Sequence, residues 1–155
     1  MLATVLTTVL TTSFALAQCP FTSVSMQTYG QGCNPVFGTN PTLAVALDTT
    51  NCQLQMTVGA FTGCCNTYLV GRLLALGDQP TSIPLPEFGP NCTLLVVPVI
   101  LLFQPSAAGA AFTLTLPTAV LPPLSFVAQG SALYFTTIGL NYDFALTAGG
   151  QINLQ

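Results

Sequence analysis

The sequence predicts an all-β fold, a disulfide-stapled β-sandwich of about 8–9 short strands with immunoglobulin-like or jelly-roll-like topology. Three observations predict it. Thirteen glycines and twelve prolines punctuate the chain at short intervals, leaving no amphipathic helix of useful length. The runs between these breaks are rich in Val, Ile, Leu, Thr and Phe, residues suited to a pleated, half-buried surface. The six cysteines Cys19, Cys33, Cys52, Cys64, Cys65 and Cys92 make an even set. In an exported chain an even set reads as a disulfide framework.

The first seventeen residues, MLATVLTTVLTTSFALA, end on Ala15-Leu16-Ala17, which fits the small-x-small pattern of a signal-peptide cleavage site. This segment has no Lys or Arg, and its Thr and Val favour strand over helix. Residues 1–17 therefore have two readings, a signal peptide or a retained N-terminal β-strand that completes a sheet edge in a neighbouring subunit. Both place the protein outside the cell, secreted or at the cell surface. Residues 18–155 then form a single β-sandwich domain, long enough to bury a core.

The strand candidates follow in order: TLAVAL (42–47), CQLQMTVGAF (52–61), TYLVGRLLAL (67–76), AAFTLTL (110–116), LSFVAQ (124–129), SALYFTT (131–137), DFALTA (143–148) and QINL (151–154). In AAFTLTL, Phe112, Leu114 and Leu116 alternate with Thr113 and Thr115, the pattern of one buried and one wet face. DFALTA repeats it with Phe144 and Leu146 inward. TYLVGRLLAL is the segment whose periodicity also admits partial helix.

Leu94 to Phe103 is apolar throughout, interrupted by Pro98. A spanning helix needs about 20 apolar residues, and proline would break this one at its middle. The run is expected to be two strands, TLLVV and VILLF, parted at Pro98, and to belong to the core with both faces covered. No transmembrane span is expected in the mature chain.

Charged residues make up 3% of the chain, against about 25% in an ordinary soluble domain. They are Asp48, Arg72, Asp78, Glu87 and Asp143. Such a composition excludes disorder, which needs high charge and few apolar residues. One Arg, no Lys and no His leave almost nothing to bind a phosphate backbone, so nucleic acid is excluded. A nearly uncharged surface promotes association. The expected partner is the chain itself, in a homo-oligomer or polymer; a monomer coated with Thr, Ser, Asn and Gln is the alternative.

Catalytic and metal chemistry find little support. No His is present to act as general base, and Arg72 cannot activate a Ser or Cys nucleophile. Asp78 and Glu87 flank a proline-rich loop and would be the one carboxylate pair, but both read as solvated turn residues. Asp48 in ALDTTNC reads as a turn cap. A calcium site would require several of Asp48, Asp78, Glu87 and Asp143 to converge with carbonyls. Cys64 and Cys65 are adjacent and no CxxC pair exists, which opposes a zinc site. Asn91-Cys92-Thr93 matches the N-glycosylation acceptor pattern. Phe21, Tyr29, Phe37, Tyr68, Tyr134 and Tyr142 are scattered, which suits core or interface filling better than a sugar-stacking platform. Arg72 is expected to form an ion pair with a carboxylate, or to bind backbone carbonyls, in a buried or interface position. No enzyme and no cofactor is expected.

Five stretches, YGQGC (29–33), Pro41-x-Leu43, LLALGD (73–78), IPLPEFGPNCTLLVVP (83–98) and LSFVAQGSALYF with LNYDFALTAGGQINL (124–154), carry a family pattern. They resemble an uncharacterised secreted β-domain family of planctomycete-type bacteria, with its YGxGC opening, LPL…GCxL middle and GLxFxxQ segment. The resemblance covers roughly residues 29–154. It implies fold and export, and no activity. It also implies Cys33 and Cys92 as a bonded pair, because they stand where the family's recurring cysteines fall. Cys19, Cys52, Cys64 and Cys65 lie outside the pattern, and the closing LNYDFALTAGGQINLQ adds a strand to it. The functional expectation is a secreted structural protein, the subunit of a self-assembling filament, sheath or surface layer, with N-terminal strand exchange as one route. The alternative is a monomeric secreted carbohydrate- or surface-binding module.

Overall fold

A computed structural model describes residues 18–60, 62–117 and 120–155, with Cys64 described by its backbone alone. The segment read as leader or retained strand, residues 1–17, lies outside the described residues. Eleven strands occur among the described residues: β1 Val24–Tyr29, β2 Thr42–Asp48, β3 Gln53–Gly59, β4 Gly63–Cys64, β5 Thr67–Gly77, β6 Pro80–Pro84, β7 Thr93–Val96, β8 Ile100–Pro105, β9 Ala111–Thr115, β10 Leu124–Thr136 and β11 Asn141–Leu154. They form antiparallel sheets, and the fold is the expected disulfide-stapled, all-β sandwich.

The central sheet runs β1-β11-β10-β5, and the far side of β5 is shared by β4 and β8. A three-stranded sheet, β2-β3-β9, covers one face. The core between them joins Leu54, Met56 and Val58 of β3 to Leu74 and Leu76 of β5, Ala128 of β10 and Ile152 and Leu154 of β11. Leu54, Met56, Val58, Leu74, Ile152 and Leu154 are all 0% exposed, and burying one such side chain is worth roughly 1.5–3 kcal/mol. The small β6-β7 sheet lies on the opposite face of the central sheet, since β10 alternates. Ala128 joins the β3 side while Gln129 between its neighbours reaches β7.

Among the described residues two disulfides staple the span from Cys19 to Cys92. Cys19 is bonded to Cys52 and pins the lead-in to the start of β3, where Phe21 is buried. Cys33 is bonded to Cys92 and packs with Leu146, Leu85 and Phe88 under the small sheet.

Three departures from the sequence expectation have physical causes. The runs at 124–129 and 131–137 are one strand, β10, and those at 143–148 and 151–154 are one strand, β11. Gly130, Gly149 and Gly150 read as breaks, yet each sits inside a strand. A Cβ there would strike Val58, the Tyr29 ring and Met26, respectively. These glycines let neighbouring side chains lie on the sheet, a strand role for the residue. The register shifts at Gln129/Ser131, where a bulge lets β10 and β11 continue. TYLVGRLLAL is strand throughout as β5, held on both sides by β10 and β8.

The third departure is the apolar run. It divides at Pro98 as expected, but the halves go to different sheets, β7 pairing with β6 and β8 with β5. Leu95 and Val96 are buried. The second half is not: Val99 is 71%, Ile100 51%, Leu101 64% and Phe103 53% exposed. Continuous apolar character there marks an outer strand whose covering is not supplied by the described residues.

Candidate association surface

β8 is an edge. Its inner side pairs with β5 from Ile100↔Leu76 to Pro105↔Gly71, and among the described residues no strand pairs its outer side. Edge strands expose alternate N–H and C=O groups and are commonly protected by charge, proline or brevity. Here Pro98 and Pro105 bracket a short strand, but no charged residue stands on it. Beside β8, where the central sheet and the β2-β3-β9 sheet part, lies an apolar groove of about 610 Å3. Leu54, Leu76, Ile100, Leu114, Leu124 and Phe126 form its walls, with Asp78 also in its lining.

The other end of the central sheet carries a second apolar surface. The register sets Tyr68 of β5 against Phe135 of β10 and Phe135 against Tyr142 of β11, so the three rings form a cross-strand row on one face. Phe135 and Tyr142 lie in contact with ring centroids 5.0 Å apart and planes tilted by 47°. Tyr68 and Tyr142 are exposed. On the same face Leu133 stands opposite Phe144, and Phe103 lays its ring over Gly71, where a Cβ would come within 2.6 Å of it. The β10–β11 turn, residues 137–140, extends the surface with Ile138 and Leu140, 70% and 73% exposed. Of the six aromatics singled out by sequence, Tyr68 and Tyr142 are thus brought together, joined by Phe135, which sequence spacing did not single out. Phe21 is in the core, Tyr134 packs edge-on against Phe37, and Tyr29 lies over Gly149. Period-2 counting within one strand could not find the row, because its members sit on three strands.

Two buried polar side chains hold the covering sheets to the central one. Arg72, 6% exposed, donates from Nε to the Val58 carbonyl at 2.9 Å and from Nη1 to the Gly109 carbonyl at 2.7 Å. The carbonyl alternative holds, and no ion pair forms at Arg72 among the described residues, because β3 and the Gly109 loop offer it only main-chain oxygen. Gln129 works on the other face. Its Oε1 accepts the Leu95 N–H at 2.9 Å, and its Nε2 donates to the Thr93 and Thr147 carbonyls. All three linked groups lie on β7 and β11, so one amide ties three strands together.

No family model, curated protein or solved structure matches this chain.

The remaining candidate residues are dispersed. Asp48 caps its own turn, accepting from the Thr50 and Asn51 N–H groups and from the Asn51 side chain. The Asn51 side-chain bond, then its backbone N–H, holds the Asp48 carboxyl below the usual range. Asp78 stands at the groove, Glu87 is exposed on the 3-10 turn Pro86–Phe88, and Asp143 lies near Thr136 on β10. Among the described residues no three His, Cys, Asp or Glu side chains gather as a metal site would require. Cys65 is an exposed free thiol. No described helix is long and apolar enough to cross a membrane.

Proposed function

We propose that this is a secreted structural protein, the subunit of an extracellular assembly built from copies of itself. The observation that carries the reading is the pair of exposed apolar surfaces at opposite ends of the central sheet, with Asp78 in the groove lining the one charged side chain on them. The groove beside the start of β8, at Val99 and Ile100, stands at one end, and the aromatic row with the β10–β11 turn, reached by Phe103 near the end of β8, at the other. Contiguous exposed apolar surface of this kind marks interaction sites. A subunit with one such surface would stop at a dimer; two separated surfaces allow growth. Asp78 is exposed and can keep its water, so copies can pack without stranding an ion. The two disulfides suit an oxidising compartment, and the family resemblance points to export. Negative-stain microscopy and light scattering of the purified secreted protein test this. Regular polymers or sheets are expected, and a stable monodisperse monomer at high concentration refutes the reading.

A second reading, a monomeric carbohydrate- or surface-binding module, draws on the Tyr68-Phe135-Tyr142 row, since aromatic faces stack on sugar rings. It expects retardation of the monomer on a neutral polysaccharide gel, abolished by Tyr68→Ala with Tyr142→Ala.

A further inference from the structure

We infer that the β10–β11 turn of one copy seats in the apolar groove of the next, so that the chain joins head to tail. The inference rests on the self-assembly reading above and adds to it the two mating surfaces and their polarity.

The turn is the first line of argument. Hairpin turns favour Gly, Asn and Asp, which enter positive φ at little cost and face water comfortably. Here the sequence is Thr137-Ile138-Gly139-Leu140. Leu140 adopts φ 53° and Gly139 φ 91°. A leucine in the left-handed region, 73% exposed, gains nothing for the isolated fold: it is strained, and its side chain is in water. Such an outlier at an exposed tip is the kind of position from which a functional role is inferred.

The groove is the second line. At about 610 Å3 it lies within the size range of sites that enclose a drug-sized molecule, and its walls are almost wholly aliphatic or aromatic. It therefore matches an apolar knob rather than a polar ligand. Neither the turn nor the aromatic row contributes a charge, and Asp78, the one ionisable group lining the groove, is exposed, so a knob seated on the aliphatic wall leaves its carboxylate in water.

Area is the third. Tyr68, Ile138, Leu140 and Tyr142 are 57–73% exposed, and at roughly 100 Å2 each, about half the surface a large side chain buries, they offer about 400 Å2. The exposed Val99 and Ile100 at the groove rim add about 200 Å2 on the same footing, so each joint is of the small, weak class of interface, and a regular polymer would hold by repeating it.

Turn and groove are different surfaces, so the contact is heterologous, and a contact of that type grows into a ring or an open filament rather than closing as a two-fold dimer. The two lie at opposite ends of β10, which has 13 residues. At about 3.3 Å per residue the axial repeat is about 40 Å.

The test uses the full chain and two surface variants. Ile138→Thr with Leu140→Asn removes the knob, and Asn is favoured at positive φ, so the fold is retained. Ile100→Glu places a charge in the groove wall at a position already 51% exposed; Val99→Asp, at 71% exposed, serves as the second groove variant. Melting curves confirm that each variant is folded. Wild type is expected to polymerise with the repeat given above. Each variant alone is expected to remain monomeric, its association weakened at least about tenfold. An equimolar mixture of turn and groove variants is expected to form one-to-one dimers, since each supplies the surface the other lacks. Polymers from the turn variant, or a mixture that stays monomeric while wild type polymerises, overturn the turn-in-groove contact and leave the self-assembly reading standing. A wild-type monomer overturns both. A chain beginning at Gln18 is expected to polymerise like the full chain; if it alone fails, residues 1–17 occupy the groove instead of the turn.

Discussion

Replacing Arg72 by Met asks whether a buried cation without a carboxylate partner stabilises this fold. Two opposing effects meet there. The guanidinium costs free energy to bury, and exchanging buried ionic groups for apolar ones of similar volume is often neutral or stabilising by about 1–4 kcal/mol. Against this, Arg72 makes two charge-assisted bonds, at 2.9 Å to Val58 and 2.7 Å to Gly109, each worth about 1.5–3 kcal/mol. Gly109 is exposed and water can replace the lost donor, but Val58 is 0% exposed. Its carbonyl would be orphaned, at about 1–3 kcal/mol. We expect the bonds to win, with Arg72→Met less stable by about 2–4 kcal/mol. At about 2–4 °C per kcal/mol for a domain of this size, the melting temperature should fall by about 5–15 °C. Arg72→Lys should recover about half, because one ammonium cannot fork to both carbonyls. Calorimetry decides the matter, and a Met variant melting within about 2 °C of wild type, or above it, refutes the reasoning.

Removing the Cys33–Cys92 bond by Cys33→Ala with Cys92→Ala frees a loop of 59 residues and should cost about 4 kcal/mol in urea denaturation; a cost below about 1 kcal/mol would mean the unfolded chain is not restrained by it. Ser131 Oγ is buried with no hydrogen-bond partner among the described residues. Ser131→Ala should therefore leave stability unchanged or raise it by up to about 1 kcal/mol, and a clear loss would reveal a partner. Burial raises the Tyr29 pKa above the usual 10.0, and its hydroxyl donates to the Leu95 carbonyl at 2.7 Å. Because the folded value lies above the unfolded one, this contribution is complete below about pH 10 and is lost as pH rises through the folded value. Urea midpoints of wild type and Tyr29→Phe should differ at pH 8 and converge in strong alkali; a gap unchanged by alkali would place the stabilisation elsewhere.

The sandwich was legible because its inward faces obey period 2. Leu54, Met56 and Val58 on β3, and Phe112 and Leu114 on β9, announce their faces without reference to anything distant. What failed was reading punctuation as topology. Gly130, Gly149 and Gly150 owe their identity to side chains arriving from other strands, Val58, Tyr29 and Met26, and no local pattern carries that. β1 was missed although Val24 and Met26 alternate with polar residues, because Ser, Gln and Thr dominate VSMQTY. The run through Phe103 was assigned to the core because hydrophobicity records how much a residue avoids water, and not which molecule shields it. The Tyr68-Phe135-Tyr142 row depends on strand register, which joins residues 68, 135 and 142 only after folding. Arg72 was understood by chemistry but not by partner, since a main-chain acceptor leaves no trace in sequence.

The first and last strands lie side by side, with Thr22 and Ser23 both donating to the carbonyl of Gln155 and Val24 paired with Leu154. Left to themselves the rungs between β1 and β11 would open one at a time, but Cys19 precedes β1 and is bonded to Cys52, so tension on the N-terminal end passes through that bond to β3 and spares β1. Tension applied lengthwise, between the far turn and the opposite rim, would instead strain the rungs joining β5, β10 and β11 in parallel. The Cys19–Cys52 bond thus acts as a mechanical clamp, diverting load from an edge that would unzip into the sheet that covers the core.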